Sequence, residues 1–188
     1  MRTNTILYGA YGANRDPKML EAITGNPNLV GKLAIFQNVE LCIQGLVHIP
    51  DTVPTTSPAT ISPKKIMTDE WGHSNFETYT IRRANGAQVR GRVYELTLQE
   101  RALVAEWEMI EYGWYQSIDI PATLEDGTKL IVNTEGLRDG SSIDRIVDGL
   151  EYPTYLNEQS VMLASATQTR EDYFMRVGSV SHALCTIQ

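Results

Sequence analysis

Cysteine is nearly missing from this chain: Cys42 and Cys185 are the only two among 188 residues, and neither belongs to a C-x-x-C pair. So few thiols exclude the disulfide framework of a small secreted protein and favour a reducing compartment. Histidine is equally sparse. His48, His73 and His182 lie far apart in sequence. Without an H-E-x-x-H or paired-cysteine spacing, no metal is expected. Basic residues are outnumbered, with 16 Lys+Arg against 23 Asp+Glu and a formal net charge of -7. No local basic cluster offsets that balance, so binding to phosphate backbones is disfavoured and no nucleic-acid partner is expected. No run of apolar residues is long enough to span a bilayer. The segment Met1 to Thr5 is short and polar, unlike the start of a signal peptide. A cytoplasmic protein without a membrane partner is the expectation. There is no P-loop, and Gly9-Ala10-Tyr11-Gly12 lacks the third glycine of a dinucleotide fingerprint, so no nucleotide cofactor is indicated. A Ser/His/Asp triad is not excluded by counting, but no G-x-S-x-G elbow occurs.

What is present is an ordinary globular composition, 42% hydrophobic and 21% charged, which suits one domain over residues 1–188. Thr5 to Ala10 reads as a short buried strand, followed by a tight turn at Tyr11-Gly12-Ala13-Asn14. Asp16 is a good N-cap and Pro17 a good first helical residue; Met19, Leu20 and Ile23 supply an apolar face, and Gly25 stops the helix. Asn38 to Ile49 predicts a long strand with a bulge at Gly45. From Asp51 to Ser74 the chain is rich in Pro, Thr and Ser, and Pro54, Pro58 and Pro63 predict a long irregular excursion. Phe76 to Arg83 and Ala87 to Leu96 flank Asn85-Gly86, the signature of a hairpin. Thr97 and Glu100 form a capping box for a helix reaching about Trp107 or Glu108. A second hairpin is predicted from Tyr115 to Ile120 and Lys129 to Asn133 around Asp126-Gly127, then a short helix from Ser142 to Asp148 and a longer one from Thr154 to about Ala166. The elements sum to an α+β protein.

Two places are able to carry chemistry. A glycine-containing turn between a strand and a helix exposes backbone N–H groups whose positive potential suits a carboxylate or an oxyanion; a mere sharp turn is the alternative. The second is Val104 to Tyr115, where Glu106, Glu108 and Glu111 lie among Trp107, Tyr112, Trp114 and Tyr115. On a helix Glu106 and Glu108 point about 200° apart, so at most one faces a given pocket. Leu98, Ala102, Ala105 and Glu108 form one side of that helix, which predicts a partly desolvated Glu108 whose pKa rises towards general-base work. The alternative is three solvated surface charges, with the aromatics in the core.

These residues resemble a family. Gly9-Ala10-Tyr11-Gly12-Ala13-Asn14 is similar to the Y-G-S-N loop of the gamma-glutamylcyclotransferase-like proteins. Val89-Arg90-Gly91-Arg92-Val93-Tyr94-Glu95-Leu96 resembles their V-x-G-x-x-Y-x-L strand, Val104 to Glu108 their L-D-x-x-E pattern, and Tyr152-Pro153-Thr154-Tyr155 their Pro-x-Tyr segment. The resemblance covers roughly Ile6 to Ala166, leaving an insertion near 51–74 and a C-terminal extension from about 168. The loop serine is replaced by Ala13, the aspartate by Ala105, and the glycine after the glutamate by Met109.

The resemblance implies a small mixed β-barrel or sheet with flanking helices, Glu108 as the catalytic residue, and substrate contacts from Tyr8, Gly9, Ala10, Tyr11, Gly12, Ala13, Asn14, Tyr115 and Tyr155. It further implies cyclisation of a gamma-glutamyl amide or amine conjugate to 5-oxoproline with no cofactor. Two rivals stand beside it: a non-catalytic protein using the same cavity to bind a small amine- or carboxylate-bearing ligand or a protein partner, and a related enzyme acting on a modified amine or peptide. A closed pocket around Glu108 favours an enzyme; an exposed Glu108 favours a binder.

Overall fold

A computed structural model describes residues 4–57, 59–71 and 76–185, with no side-chain description at 70, 71 or 179–185. The elements are β1 (Thr5–Ala10), a 3-10 turn Gly12–Arg15, α1 (Pro17–Thr24), β2 (Lys32–Gly45), a second 3-10 turn Leu46–His48, α2 (Pro63–Trp71), β3 (Glu77–Thr97), α3 (Leu98–Trp107), β4 (Tyr115–Leu124), β5 (Lys129–Leu137), β6 (Arg145–Ile146) and α4 (Gln159–Cys185). Among the described residues no helix is long and apolar enough to cross a membrane.

The strands form one mixed, barrel-like sheet in the order β3-β1-β5-β4-β2-β6, and β2 also pairs with β3, so the hydrogen-bonded neighbours lead round from β3 back to β3. β1 lies antiparallel to β3, from Thr5 opposite Thr97 to Ala10 opposite Arg92, and touches β5 in parallel where Tyr8 meets Asn133. Side chains alternating inward from these strands, among them Phe36, Leu41, Ile81, Ile120 and Val132, fill the curl of the sheet. A second core, with Met19, Leu20, Ile23, Tyr94, Leu103 and Val104, lies where the helices pack on its outside. Cys42 is wholly buried on β2, as a small core residue is.

The local signals at helix starts hold. Asp16 Oδ1 accepts from the Lys18 N–H, Pro17 begins α1, and Gly25 ends it at φ 76°. The Thr97–Glu100 capping box is complete, its hydroxyl and carboxylate each accepting from the other's backbone N–H.

Where non-local pairing decides, the structure departs from the sequence pattern. Glu77 to Thr97 is a single strand rather than a hairpin: both of its halves pair with β2, not with each other. Asn85-Gly86 makes a bulge, with Gly86 at φ 77° and its N–H donated to Asn38 Oδ1 at 3.1 Å. The irregularity in β2 is therefore at Asn38, itself at φ 59°, and Gly45 ends the strand instead of bulging it. Pro63 breaks nothing. It opens α2 at a position where a missing N–H costs little, and the Ser62 hydroxyl accepts from the Lys65 N–H. Ser142 to Asp148 is not a helix. The N–H groups of Asp144 and Val147 are donated to Ile43 and Leu41 carbonyls, making β6 a short edge strand. The last helix starts at Gln159, later than predicted, because residues 152–157 are tied down individually, with Asn157 Nδ2 donating to the Glu77 carbonyl and Tyr155 to Asp16. The buried face of α3 is Arg101, Leu103 and Val104, whereas Leu98 is 54% exposed.

Candidate functional site

The β1–α1 turn, the end of α3 and the start of β4 converge on a cavity of about 450 Å³. Tyr11, Gly12, Ala13 and Asn14 form one wall of it, and Glu106, Trp107, Glu108, Tyr112, Trp114 and Tyr115 another. Glu108 sits at the very end of α3, its N–H donated to the Val104 carbonyl at 2.9 Å. It caps α3 at φ -82° and ψ 5°, and Met109 follows in the left-handed region at φ 50°. Glu106 and Glu108 both line the cavity, contrary to the helical-wheel expectation, because the lining runs round the end of α3 from Glu106 to Met109.

The two glutamates are differently held. Glu106 Oε1 accepts from the Tyr112 hydroxyl at 2.6 Å and pairs with Arg176 at 2.7 Å, so its charge is neutralised. Glu108 keeps some open surface in the cavity wall, and its described side-chain hydrogen bond comes from Asn14 Nδ2, at 2.7 Å to Oε1. Desolvation raises the Glu108 pKa well above the ordinary glutamate value; the nearby Glu135 charge adds to the rise, while Asn14 and Arg101 oppose it. Glu111 is exposed and stands apart from the cavity lining.

Behind Glu108 runs a buried polar chain. Asn14 Nδ2 also donates to the Tyr8 hydroxyl at 2.9 Å, and Tyr8 donates to Glu135 Oε1 at 2.5 Å. Glu135 is 2% exposed. Among the described residues its Oε2 and Arg101 Nη1 have no hydrogen-bond partner, and Arg101 Nη2 stands 3.9 Å from Oε2. Burial is the main reason that the pKa values of Tyr8 and Glu135 are raised, with Glu135 the next cause for Tyr8. Glu135, Arg101 and Tyr152 escaped the sequence reading. Glu135 lies two residues past the strand end expected at Asn133, and nothing in the sequence around Arg101 marks it as buried. The alternation of β5 gives no signal for Glu135, because it shares the strand face of Asn133 and the exposed Ile131, opposite the inward Val132, and is buried there by α3.

The other anticipated residues divide. Tyr115 is in the lining, 2% exposed and stacked on Trp114 with ring centroids 4.9 Å apart. Tyr8 sits one step behind the lining, joined to it through Asn14. Gly9 and Ala10 lie within the sheet; an added Cβ on Gly9 would come within 2.8 Å of Val132 Cγ2. Tyr155 is outside the lining, and its hydroxyl donates to Asp16 Oδ2 at 3.1 Å beside the start of α1. Tyr152, three residues earlier, accepts the Gly12 N–H at 3.3 Å and donates to the Arg90 carbonyl at 2.6 Å, pinning the loop. Asn14 works through its side chain; it has no positive φ. His73 lies outside the described residues, as do the side chains of His182 and Cys185.

Gly12 is at φ 55°, and a Cβ there would lie 3.3 Å from the Tyr79 ring. A β-branched residue is strained in that conformation. Gly12→Val should lower stability by about 1–3 kcal/mol, the scale of a strained backbone position, and displace Asn14 from Glu108. Urea unfolding checks the first effect, and a crystal structure of the variant checks the second.

No family profile matches the sequence, and no curated protein matches it. Among solved structures the chain is similar to an uncharacterized protein from Homo sapiens, at 16% identity and a TM-score of 0.55 over 77% of this chain and 72% of that one. It is similar at the same identity and TM-score to a gamma-glutamyl cyclotransferase, over 77% of this chain and 73% of the other. At this identity the likeness is one of architecture, and it agrees with the motifs: the chain has the gamma-glutamylcyclotransferase-like fold.

Proposed function

We propose that this protein is an enzyme that cyclises a gamma-glutamyl amide or amine conjugate to 5-oxoproline and releases the amine. The observation that carries the reading is Glu108, a desolvated carboxyl in a cavity wall, held by Asn14 from the β1–α1 turn. The likeness to gamma-glutamyl cyclotransferase supports it through the fold.

The chemistry asks little beyond orientation and proton transfer. A gamma-glutamyl group carries its own α-amine within reach of the γ-carbonyl, so closure to a five-membered ring is intramolecular. Glu108 takes a proton from the α-ammonium, and the freed amine nitrogen forms a bond to the γ-carbon. The bond from that carbon to the leaving nitrogen then breaks as Glu108 returns the proton to it, and the second proton shed by the ring nitrogen goes to the departing amine, which leaves as an ammonium beside the neutral lactam. In this reading the backbone N–H groups of the turn at Ala13 and Asn14 receive the oxyanion of the tetrahedral intermediate, a role that survives alanine at the position of the family's serine. The Asn14 amide orients Glu108, and its raised proton affinity makes it a competent base and acid at neutral pH. No step calls on a cofactor.

Incubating the full chain with a panel of gamma-glutamyl conjugates and following 5-oxoproline by chromatography tests the reading. Release that depends on active protein is the expected result. Tight binding of a conjugate with no conversion of any would replace the enzyme by a binding protein.

A further inference from the structure

Part of the cavity lining comes from parts of the chain that the family motifs do not cover. Ile61, Ile66 and Met67 come from the insertion, and Tyr173 and Arg176 come from α4 beyond residue 168. With Phe76, Trp107, Met109, Trp114 and Met162 they make a wall that is mostly apolar and aromatic. Ile49, Met67, Phe76, Met109, Trp114 and Tyr115 pack as a cluster of their own, and Phe76 and Trp114 meet with ring centroids 6.3 Å apart.

The charges are arranged against a second carboxylate, beyond the one that every gamma-glutamyl unit carries. Among the described lining residues Arg176 is the one cation, and it is held by Glu106 at 2.7 Å. The carboxylates are Glu77, Glu106, Glu108 and Asp172; Glu77 is paired with Arg145, and Asp172 accepts from Gln168. An amino acid or peptide leaving group would bring a carboxylate to a surface with no unpaired cation to receive it. At about 450 Å³ the cavity is in the range that holds drug-sized ligands. A glutamyl unit with a glycine-sized leaving group would leave much of the apolar wall against water.

Resting on the gamma-glutamyl reading, we infer that the insertion and the extended α4 form a subsite for an uncharged, apolar or aromatic leaving amine. The glutamyl part lies at the turn and Glu108, and the amine substituent lies against Ile61, Met67, Trp114 and Tyr173. Burial of its apolar surface then favours binding in proportion to the area removed from water.

The test compares kcat/KM for 5-oxoproline release by the full chain from gamma-glutamyl-benzylamide, gamma-glutamylglycine and gamma-glutamyl-putrescine. The benzylamide should be turned over at least tenfold more efficiently than either of the others, about the scale of a small apolar group in a fitted pocket. Ile61→Asp, at a position 47% exposed and so tolerant of a charge, should reduce the benzylamide-to-glycine ratio about tenfold, with folding checked by circular dichroism. Tyr173→Ala should lower the same ratio. Equal or better use of the glycine conjugate would overturn the apolar subsite while leaving cyclisation intact. Preference for the putrescine conjugate would overturn it in favour of a cation site. Failure to convert any conjugate would remove the gamma-glutamyl reading and the subsite with it.

Discussion

If Glu108 is the base proposed above, replacing it by glutamine should lower 5-oxoproline release by about 10²-fold or more, the scale of a positioned general base, while substrate still binds. Glutamine keeps the shape and an oxygen able to accept from Asn14 Nδ2, so the turn is not disturbed. What is lost is the basic lone pair. The same substitution should raise stability at neutral pH. Desolvation holds the pKa of Glu108 well above its ordinary value, so the folded state binds this proton more tightly than the unfolded chain does. The stability linked to this group is fully present below the unfolded pKa and is lost as pH rises through the folded one. Glu108→Gln removes that loss, so its melting temperature should exceed that of the wild type at pH 7, with the gap closing towards pH 4. Glu106→Gln is the control for turnover. Its carboxylate is tied up by Tyr112 and Arg176, so its loss should leave the chemical step in place. Steady-state kinetics and thermal melts on the three proteins check these outcomes.

Arg101→Met should destabilise the protein by about 3–5 kcal/mol, the cost of leaving a buried charge without its partner. Arg101 is 7% exposed, and its guanidinium is the cation that lowers the proton affinity of the buried Glu135. It also donates Nε–H to Asn133 Oδ1 at 2.9 Å and lies 5.2 Å from the centre of the Tyr8 ring. Without it Glu135 stays in the interior with the Tyr8 hydroxyl as its side-chain donor. The loss should be largest at neutral pH and shrink as Glu135 is protonated, since its pKa is already raised and would rise further. A second change, Glu135→Gln, should recover part of the loss, and a double-mutant cycle by urea unfolding measures how much. Additive effects of the two substitutions would show that they do not act as a pair.

The contrast between these two glutamates shows what the sequence reveals and what it conceals. Asp16, Pro17 and Gly25, and the capping box from Thr97 to Glu100, act within a few residues of themselves, and they were legible one by one. The turn at Gly12 and the glutamate at 108 were legible through motif order. The single strand β3 was not, because Asn85-Gly86 has the chemistry of a hairpin turn, and only the length of β2 lying alongside turns it into a bulge. Likewise a helical wheel sets Glu106 and Glu108 about 200° apart. The cavity lining runs round the helix end from Glu106 to Met109, so residues on different sides of α3 reach it, which a periodicity argument does not contain. Glu135 and Arg101 were hidden for a related reason: a buried ion pair is defined by which strand passes behind which helix, and that depends on the whole sheet.

The measurement that bears most directly on Glu108 as the proton-transferring group is the pH dependence of kcat/KM for a gamma-glutamyl conjugate. Catalysis requires Glu108 ionised in the free enzyme, so the rate should rise with pH along an acid limb whose midpoint lies well above 4.5, the ordinary glutamate value. The residual activity of Glu108→Gln should lack that limb. A limb at the ordinary glutamate value, or the same limb in wild type and Glu108→Gln, would contradict the account.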